Sequence, residues 1–156
     1  MLFRSMNVSA ASLRDEQYYA ALRELLESPE CDASAITFEI GAQAAIIDSD
    51  AAERFAQFAR ARGAAVALDD LELSGESLLL ARQLLPAYVK LAPAATREIA
   101  TLADQRYLVE SVVALLRPLD IAVIAKGIEV AEVMTLLAAC GVTGAQGYAI
   151  GRPERL

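Results

Sequence analysis

Each of the six apolar segments in this chain contains or ends on a polar side chain able to bind a cation or move a proton. In chain order these side chains are Asn7, Glu39, Asp69 with Asp70, Lys90, Lys126 and Gln146. Carboxylate and amide oxygens are the ligands of Mg²⁺, Mn²⁺ and Ca²⁺ rather than of zinc. Two such ions about 4 Å apart would let a shared water be deprotonated and attack a phosphodiester in line.

Two of these positions admit a second interpretation. Lys90 would either orient the attacking water and stabilise phosphate charge, or act as a counter-ion for Asp69 or Asp70. The adjacent aspartates in "VALDDLELSG", Asp69 and Asp70, would need no functional explanation if Asp70 capped the following helix. A charged residue in an apolar strand is costly unless it is paired, and sites in parallel α/β folds assemble at the C-terminal edge of the strands. Because such polar residues recur in all six strands, we favour a functional site along the C-terminal edge of the sheet, which we call the rim.

Composition limits the chemistry that this rim can perform. The 156 residues are 56% hydrophobic and 22% charged, which fits one domain with a substantial core. The net charge of −7, without a basic stripe, argues against duplex nucleic acid as a partner. The chain has no histidine, which excludes Ser-His-Asp and Cys-His nucleophiles. Cys31 and Cys140 form no CxxC pattern, so we expect free thiols, and no apolar run is long enough to span a bilayer.

Strand and helix patterns alternate six times along the chain. The predicted strands are "LFRSMNVS", "AITFEIG", "AAVALDD", "AYVKLA", "IAVIAKG" and "GAQGYAI", with helical patterns between them. Short apolar strands of this kind are typical of parallel sheets covered on both faces. We therefore predict an α/β fold, either doubly wound or a (β/α) barrel. No GxGxxG or GxxxxGK[ST] motif follows a strand, so neither dinucleotide nor P-loop binding is indicated.

At these positions the chain resembles the EAL domain, the bacterial cyclic-di-GMP phosphodiesterase family. The matching segments are "MNVSAASL", "FEIGAQAAI", "ALDDLELSGESL", "YVKLA", "VIAKGIEVAEVM" and "GAQGYAIGRP". They resemble the family motifs N-[LV]-S, E-I-T-E, D-D-F-G-T-G-Y-S-S-L, K-I-D, A-E-G-V-E and Q-G-Y-x-x-x-x-P in the same order. The resemblance implies a TIM-like barrel that binds cyclic di-GMP and, when intact, hydrolyses it to pGpG with Mg²⁺ or Mn²⁺.

The resemblance also implies roles for individual residues. Asn7, Glu39 and Asp69 match metal ligands, and Asp70 matches a residue at the second metal. Lys90 matches the lysine near the attacking water and, with Glu129, occupies a position of the catalytic machinery. For ligand binding, Gln146 matches a site-supporting position. Apart from the resemblance, Arg152, beside Pro153, would either meet a phosphate or be an ordinary surface arginine.

Departures from the family pattern are as informative as the matches. Lys126 stands where the family has the first glutamate of E-G-V-E, a carboxylate at the metal site. Its ammonium would repel divalent ions or serve as a built-in cation for Glu39 and Asp69. Ala92 replaces the aspartate of K-I-D, Ala42 replaces the second glutamate of E-I-T-E, and "LELSGES" replaces the glycine-rich loop.

The Glu-Ala-Leu strand is absent, so we expect residues 1–156 to be the C-terminal two-thirds of an EAL-like domain, with about six of the eight barrel strands. Three explanations remain open: a fragment of a longer protein, which we favour, a second chain that completes the barrel, or an open sheet. Strand edges left unpaired would invite self-association or a protein partner.

These observations predict a degenerate EAL-type module in cyclic-di-GMP signalling. It would be catalytically inactive and act as a cyclic-di-GMP receptor or a protein-interaction scaffold, with Mg²⁺, Mn²⁺ or no metal at all. The alternative is an active metal-dependent phosphodiesterase whose Glu-Ala-Leu segment lies upstream. A third interpretation, an unrelated (β/α) enzyme, would require a strand order unlike that of a barrel. The family's intracellular ligand and the lack of a signal peptide favour a bacterial cytoplasmic location.

Overall fold

A single parallel sheet organises the computed structural model, which describes residues 4–128 and 130–146. Its strands lie side by side in chain order, from β1 to β6. They are β1 (Arg4–Val8), β2 (Ile36–Gly41), β3 (Ala65–Leu71), β4 (Tyr88–Leu91), β5 (Ala122–Lys126) and β6 (Gly144–Gln146). Parallel neighbours joined in sequence require crossovers of one hand, which place the connecting helices on one side of the sheet. A doubly wound sheet is thereby excluded, and the fold is an arc of a TIM-like barrel.

Seven α-helices connect these strands within the described residues. They are α1 (Glu16–Leu26), α2 (Ala42–Ile47), α3 (Ser49–Arg60), α4 (Gly75–Leu84), α5 (Pro93–Arg97), α6 (Ala103–Leu116) and α7 (Ala131–Ala139). The sequence analysis predicted a strand ending at Gly41 and a helix beginning at Asp48, and it did not identify the short helix α2 between them. Asp48 separates α2 from α3 because its carboxylate accepts a hydrogen bond from the backbone N–H of Ala51, which caps α3. Among the described residues no helix is both long and apolar enough to cross a membrane.

The two faces of the sheet have different environments. Alternate residues of the central strands, such as Phe38, Leu68, Val89 and Val123, are almost fully buried against the helices. Their neighbours on β4 and β5 point to the other face and are only half-buried. The expectation of cover on both faces therefore holds for β2 and the first part of β3, where Thr37, Glu39 and Ala67 are buried, but not for β4 and β5. The second face is the concave interior of the barrel arc, on which Lys90 and Lys126 keep partial contact with solvent.

An aromatic cluster holds β2 against the helical layer. Phe55 of α3 is fully buried and contacts Phe38 of β2 edge to face, with ring centroids 5.4 Å apart. The ring of Tyr19 in α1 also contacts the Phe55 ring, with centroids 5.7 Å apart, and the Phe58 ring, with centroids 4.8 Å apart. Edge-to-face pairs of this kind add to the burial energy of the rings. Because Phe38 precedes Glu39, this cluster fixes the position of a candidate site residue on the opposite face.

The two cysteines are both free thiols in different surroundings. Cys140 is buried, and burial, followed by the charge of Glu110, raises the pKa of its thiol. Cys31 is only partly buried. Since the thiolate is the nucleophile, we expect Cys31 to react with a thiol reagent well before Cys140 in the native protein. Mass spectrometry after timed alkylation measures this order. Equal rates for the two cysteines would show that Cys140 is not enclosed by α6 and α7.

Candidate functional site

Strand register brings the polar residues onto the concave face. Asn7 of β1 lies opposite Glu39 of β2, Glu39 lies opposite Ala67 of β3, and Ala67 lies opposite Tyr88 of β4. Residues two positions apart on a strand share a face. The concave face therefore also includes Asp69, Lys90 and Lys126. These residues lie two positions after Ala67, Tyr88 and Ile124, which are in register with the neighbouring strands. This progressive shift toward the strand C-termini is the stagger expected of a barrel.

Glu39 is the most buried charged group on this face, with 6% of its surface exposed. Its Oε1 accepts a hydrogen bond from Lys90 Nζ at 2.6 Å and a second from the Tyr88 hydroxyl at 3.1 Å. Both donors belong to β4 and are two residues apart, so they approach from the same side. Together with Ser5 and Thr37, these three residues line a cavity of about 340 Å³. Paired donors of this kind are what a buried carboxylate requires.

A β-bulge explains why two adjacent aspartates reach one partner. Leu68 pairs with Val89 and Leu71 pairs with Leu91, so two residues of β3, Asp69 and Asp70, face one residue of β4. Asp70 has φ of +53°, a left-handed conformation that aspartate tolerates better than most residues. In a regular strand consecutive side chains point to opposite faces. The bulge turns Asp70 back toward the concave face beside Asp69.

Lys126, at the end of β5, is the common partner of the two aspartates. Its Nζ donates to Asp69 Oδ1 at 2.7 Å and to Asp70 Oδ1 at 2.8 Å. Partial burial favours a lower pKa for Lys126, but its hydrogen bonds to the two carboxylates and their negative charges outweigh burial and raise the pKa. Lys126 is therefore an ammonium ion throughout the neutral range. The backbone carbonyl of Lys126 accepts a hydrogen bond from Thr96 of α5, which helps to fix the strand end.

The side chains form two interleaved layers, each built from alternate strands. Glu39 on β2 reaches over β3 to Tyr88 and Lys90 on β4, and Asp69 on β3 reaches over β4 to Lys126 on β5. Alternate strands supply each layer in (β/α) barrels. We call Glu39, Asp69, Asp70, Lys90 and Lys126 the carboxylate–lysine cluster. Its formal charge is −1, from three carboxylates and two ammonium groups.

The structure changes two of the ion pairs expected from the sequence. Lys90 was interpreted as a possible counter-ion for Asp69 or Asp70, but its partner is Glu39. Lys126 was expected to neutralise Glu39 and Asp69, whereas it pairs with Asp69 and Asp70. Both differences follow from the alternate-strand layers, which were not visible in the sequence. Asp70 does not cap the following helix, because Ser74 accepts the capping hydrogen bond from Ser77.

The remaining predicted residues differ in what the structure describes. Asn7 is exposed beside Glu39, and Gln146 is exposed in register with Lys126 at the end of β6. Glu129 and Arg152 lie outside the described residues. Sequence reasoning missed Tyr88, although its spacing of two residues from Lys90 in "YVKLA" indicates the same face.

Tyr88 gives this network a measurable pH dependence. Burial, followed by the charge of Glu39 and the hydrogen bond to it, raises the pKa of Tyr88 from 10.0 to about 12. The contribution of the neutral phenol to stability is complete below the unfolded-state pKa and is lost as pH rises through the folded-state pKa. We expect the stability of the native protein to fall more steeply between about pH 10 and pH 12 than that of Tyr88→Phe. Urea unfolding across this range measures both slopes, and parallel slopes would contradict the contact.

The donor set does not fit a two-metal site in this arrangement. Each carboxylate of the cluster already has an ammonium within 2.8 Å. Two unit charges 4 Å apart interact by about 4 kcal/mol at an effective dielectric of 20, and a divalent ion would double this repulsion. Among the residues that the structure describes, no group of three or more acidic or thiol ligands is arranged to hold a metal ion.

Sequence comparison identifies related proteins over nearly the whole chain. The family model described as "EAL domain" matches residues 1–153. The cyclic di-GMP phosphodiesterase PdeB of Shewanella oneidensis is 30% identical over 155 residues, which are 97% of this chain and 18% of that protein. The bifunctional diguanylate cyclase/cyclic di-GMP phosphodiesterase MucR of Pseudomonas aeruginosa is 26% identical over 149 residues, or 96% of this chain and 22% of that protein.

Solved structures share the fold. The EAL domain of Xanthomonas citri FimX in complex with c-diGMP gives a TM-score of 0.91 at 20% identity, covering 97% of this chain and 60% of that chain. The PaMucR phosphodiesterase in its c-di-GMP complex gives a TM-score of 0.84 at 26% identity, covering 96% of this chain and 60% of that chain. A manganese/cy-diGMP complex of Klebsiella pneumoniae BlrP1 gives a TM-score of 0.85 at 24% identity, covering 96% of this chain and 38% of that chain. The chain thus spans about a fifth of the curated relatives and 38–60% of these solved chains.

Proposed function

Because this chain belongs to the EAL domain family, we propose that it is a regulatory module of cyclic-di-GMP signalling that recognises the dinucleotide without hydrolysing it. Two-metal hydrolysis needs divalent ions on both sides of the attacking water. A module that keeps the fold and part of the site, but not the ability to hold those ions, would sense the ligand rather than consume it.

The single observation that carries this proposal is the position of Lys126. The family has a metal-site carboxylate there, and this chain has an ammonium that contacts Asp69 and Asp70 at 2.7 and 2.8 Å. The substitution therefore removes one negative ligand and adds one positive charge. A second lysine, Lys90, engages Glu39 at 2.6 Å and is not free to orient a water in this arrangement.

Recognition of cyclic di-GMP is supported by what the chain retains. Asn7 and Glu39 remain side by side on the concave face, and Asp69 follows on the next strand. The solved FimX and PaMucR structures are complexes with this dinucleotide. We propose that Gln146 and Arg152 take part in ligand binding, on the basis of their motif positions. The two ammonium groups reduce the formal charge of the cluster to −1, which limits its repulsion of the phosphates in the absence of metal ions.

Isothermal titration calorimetry with cyclic di-GMP, in EDTA and in MgCl₂, tests this function. We expect micromolar or tighter binding in both buffers, and its loss in Asp69→Ala. Glu24→Ala removes an exposed carboxylate from α1 and is the matched control, which should bind like the native protein. An absence of binding in both buffers would contradict the receptor function and favour the protein-interaction scaffold.

A second candidate, an active cyclic-di-GMP phosphodiesterase, is favoured by the relatives, since PdeB and MucR carry that activity in their names. It requires a metal-binding glutamate from outside this chain and displacement of Lys126 from Asp69 and Asp70. The two candidates differ in one observable, the metal-dependent formation of pGpG. Lys126→Glu is expected to raise that turnover steeply only if the lysine blocks the metal position.

A further inference from the structure

We infer that Lys126 is the resident cation of this site: its ammonium holds Asp69 and Asp70 together where a divalent ion would otherwise be needed. The mouth of the barrel arc is therefore organised without metal. This inference rests on the non-hydrolytic part of the proposed function and deepens it, because it names the group that occupies the cation position whether or not cyclic di-GMP is a ligand.

The geometry has the features of a site built around one cation. Two carboxylates converge on a single Nζ at 2.7 and 2.8 Å, and they come from adjacent residues that only a bulge can aim at one point. The Asp70 backbone N–H also donates to Asp69 Oδ1 at 3.0 Å, which fixes the orientation of that carboxylate. Asp69 Oδ1 thus accepts two hydrogen bonds, one from the bulge and one from Lys126.

The position of Lys126 in the fold makes the ammonium a fixed component of the site. Its backbone carbonyl accepts a hydrogen bond from Thr96 Oγ1 at 3.0 Å, which ties the end of β5 to α5. The following residue, Gly127, has φ of +69°, and a Cβ there would lie 3.2 Å from the Pro93 Cβ. This tight turn after Lys126 constrains the direction in which its side chain leaves the strand.

Charge balance gives the inference a consequence that does not involve nucleotide. In the native cluster, three carboxylates face two ammonium groups, so little negative charge remains for a divalent ion. Lys126→Glu would leave four carboxylates and one ammonium, a formal charge of −3, at the same place. Uncompensated carboxylates this close repel one another, and a divalent cation relieves the repulsion. Lys126→Glu should therefore remove the internal ammonium and make the cluster depend on a bound divalent metal ion.

Thermal unfolding in EDTA and in MnCl₂ tests this inference with the metal alone. The native protein is expected to show the same Tm, within about 1 °C, in both buffers, whereas Lys126→Glu should be less stable in EDTA and gain about 5 °C in saturating Mn²⁺. Arg82→Glu introduces the same charge change on the exposed surface of α4 and should gain nothing. If Lys126→Glu does not fold in EDTA, Lys126→Gln is the second variant, and it should show a smaller gain in Mn²⁺.

Two results would overturn the inference. A saturable rise in Tm of the native protein with Mn²⁺ would show that Lys126 does not hold the cation position. A folded Lys126→Glu protein that does not respond to Mn²⁺ would show that the ammonium is not what keeps metal out. Neither result depends on nucleotide binding, so failure here is distinguishable from failure of the receptor function.

Discussion

Replacing Glu39 with alanine is expected to lower the free energy of unfolding by about 3 kcal/mol, because removal of one partner leaves a mostly buried ammonium uncompensated. Glu39 is 6% exposed and the Lys90 side chain 12% exposed, so water screens this pair weakly. The Tyr88 hydroxyl loses its acceptor in the same variant. Denaturant unfolding monitored by circular dichroism measures the change.

The control for this prediction removes both charges. In the double variant Glu39→Leu with Lys90→Met, no ion is left unpaired, and such replacements are often neutral or stabilising. We therefore expect the double variant to recover most of the stability lost in Glu39→Ala. If the double variant were as unstable as Glu39→Ala, the loss would come from packing and not from the ion pair.

Phe55→Ala is expected to cost about 4 kcal/mol of unfolding free energy, since it opens a cavity in a fully buried aromatic cluster. Phe55 has 0% of its surface exposed and contacts the rings of Phe38, Tyr18 and Tyr19. The cavity would lie between α3, α1 and β2, directly behind the strand that carries Glu39. Thermal and urea unfolding measure the loss.

A matched variant on the same helix separates the cluster from a general effect of aromatic truncation. Phe58 is only partly buried, and Phe58→Ala should therefore cost clearly less than Phe55→Ala. Equal losses for the two variants would mean that Phe55 does not join α3 to β2 as described.

Much of the fold could be predicted from the sequence because its signals are local. Alternating strand and helix patterns fix six parallel strands, and the resemblance to the EAL motifs selects the barrel over the doubly wound sheet. Helix α2 was missed because most of its residues lie in "FEIGAQAAI", which was matched to a family strand motif, whereas the strand itself ends at Gly41. Asp48, which divides α2 from α3, looks like an ordinary acidic helix start in the sequence.

The sequence indicated that several polar side chains lie together on one face of the sheet, but it missed Tyr88 and did not predict which side chains pair. Convergence of Glu39, Asp69 and Lys126 follows from strand ends and side-chain alternation, both of which can be read from the sequence. Partner choice depends on which strands contribute to the same layer, a property of the curved sheet. The bulge at Asp70 was also hidden, because a left-handed aspartate leaves no distinctive mark in "ALDDLE".

The central claim is that a lysine has taken the cation position of this EAL module, so that it does not cleave the dinucleotide. Formation of pGpG from cyclic di-GMP in Mn²⁺, by the protein in its full-length form, tests this claim most directly. We predict that the native protein forms no product above the enzyme-free background. Manganese-dependent formation of pGpG by the native protein, abolished in Asp69→Ala, would contradict it.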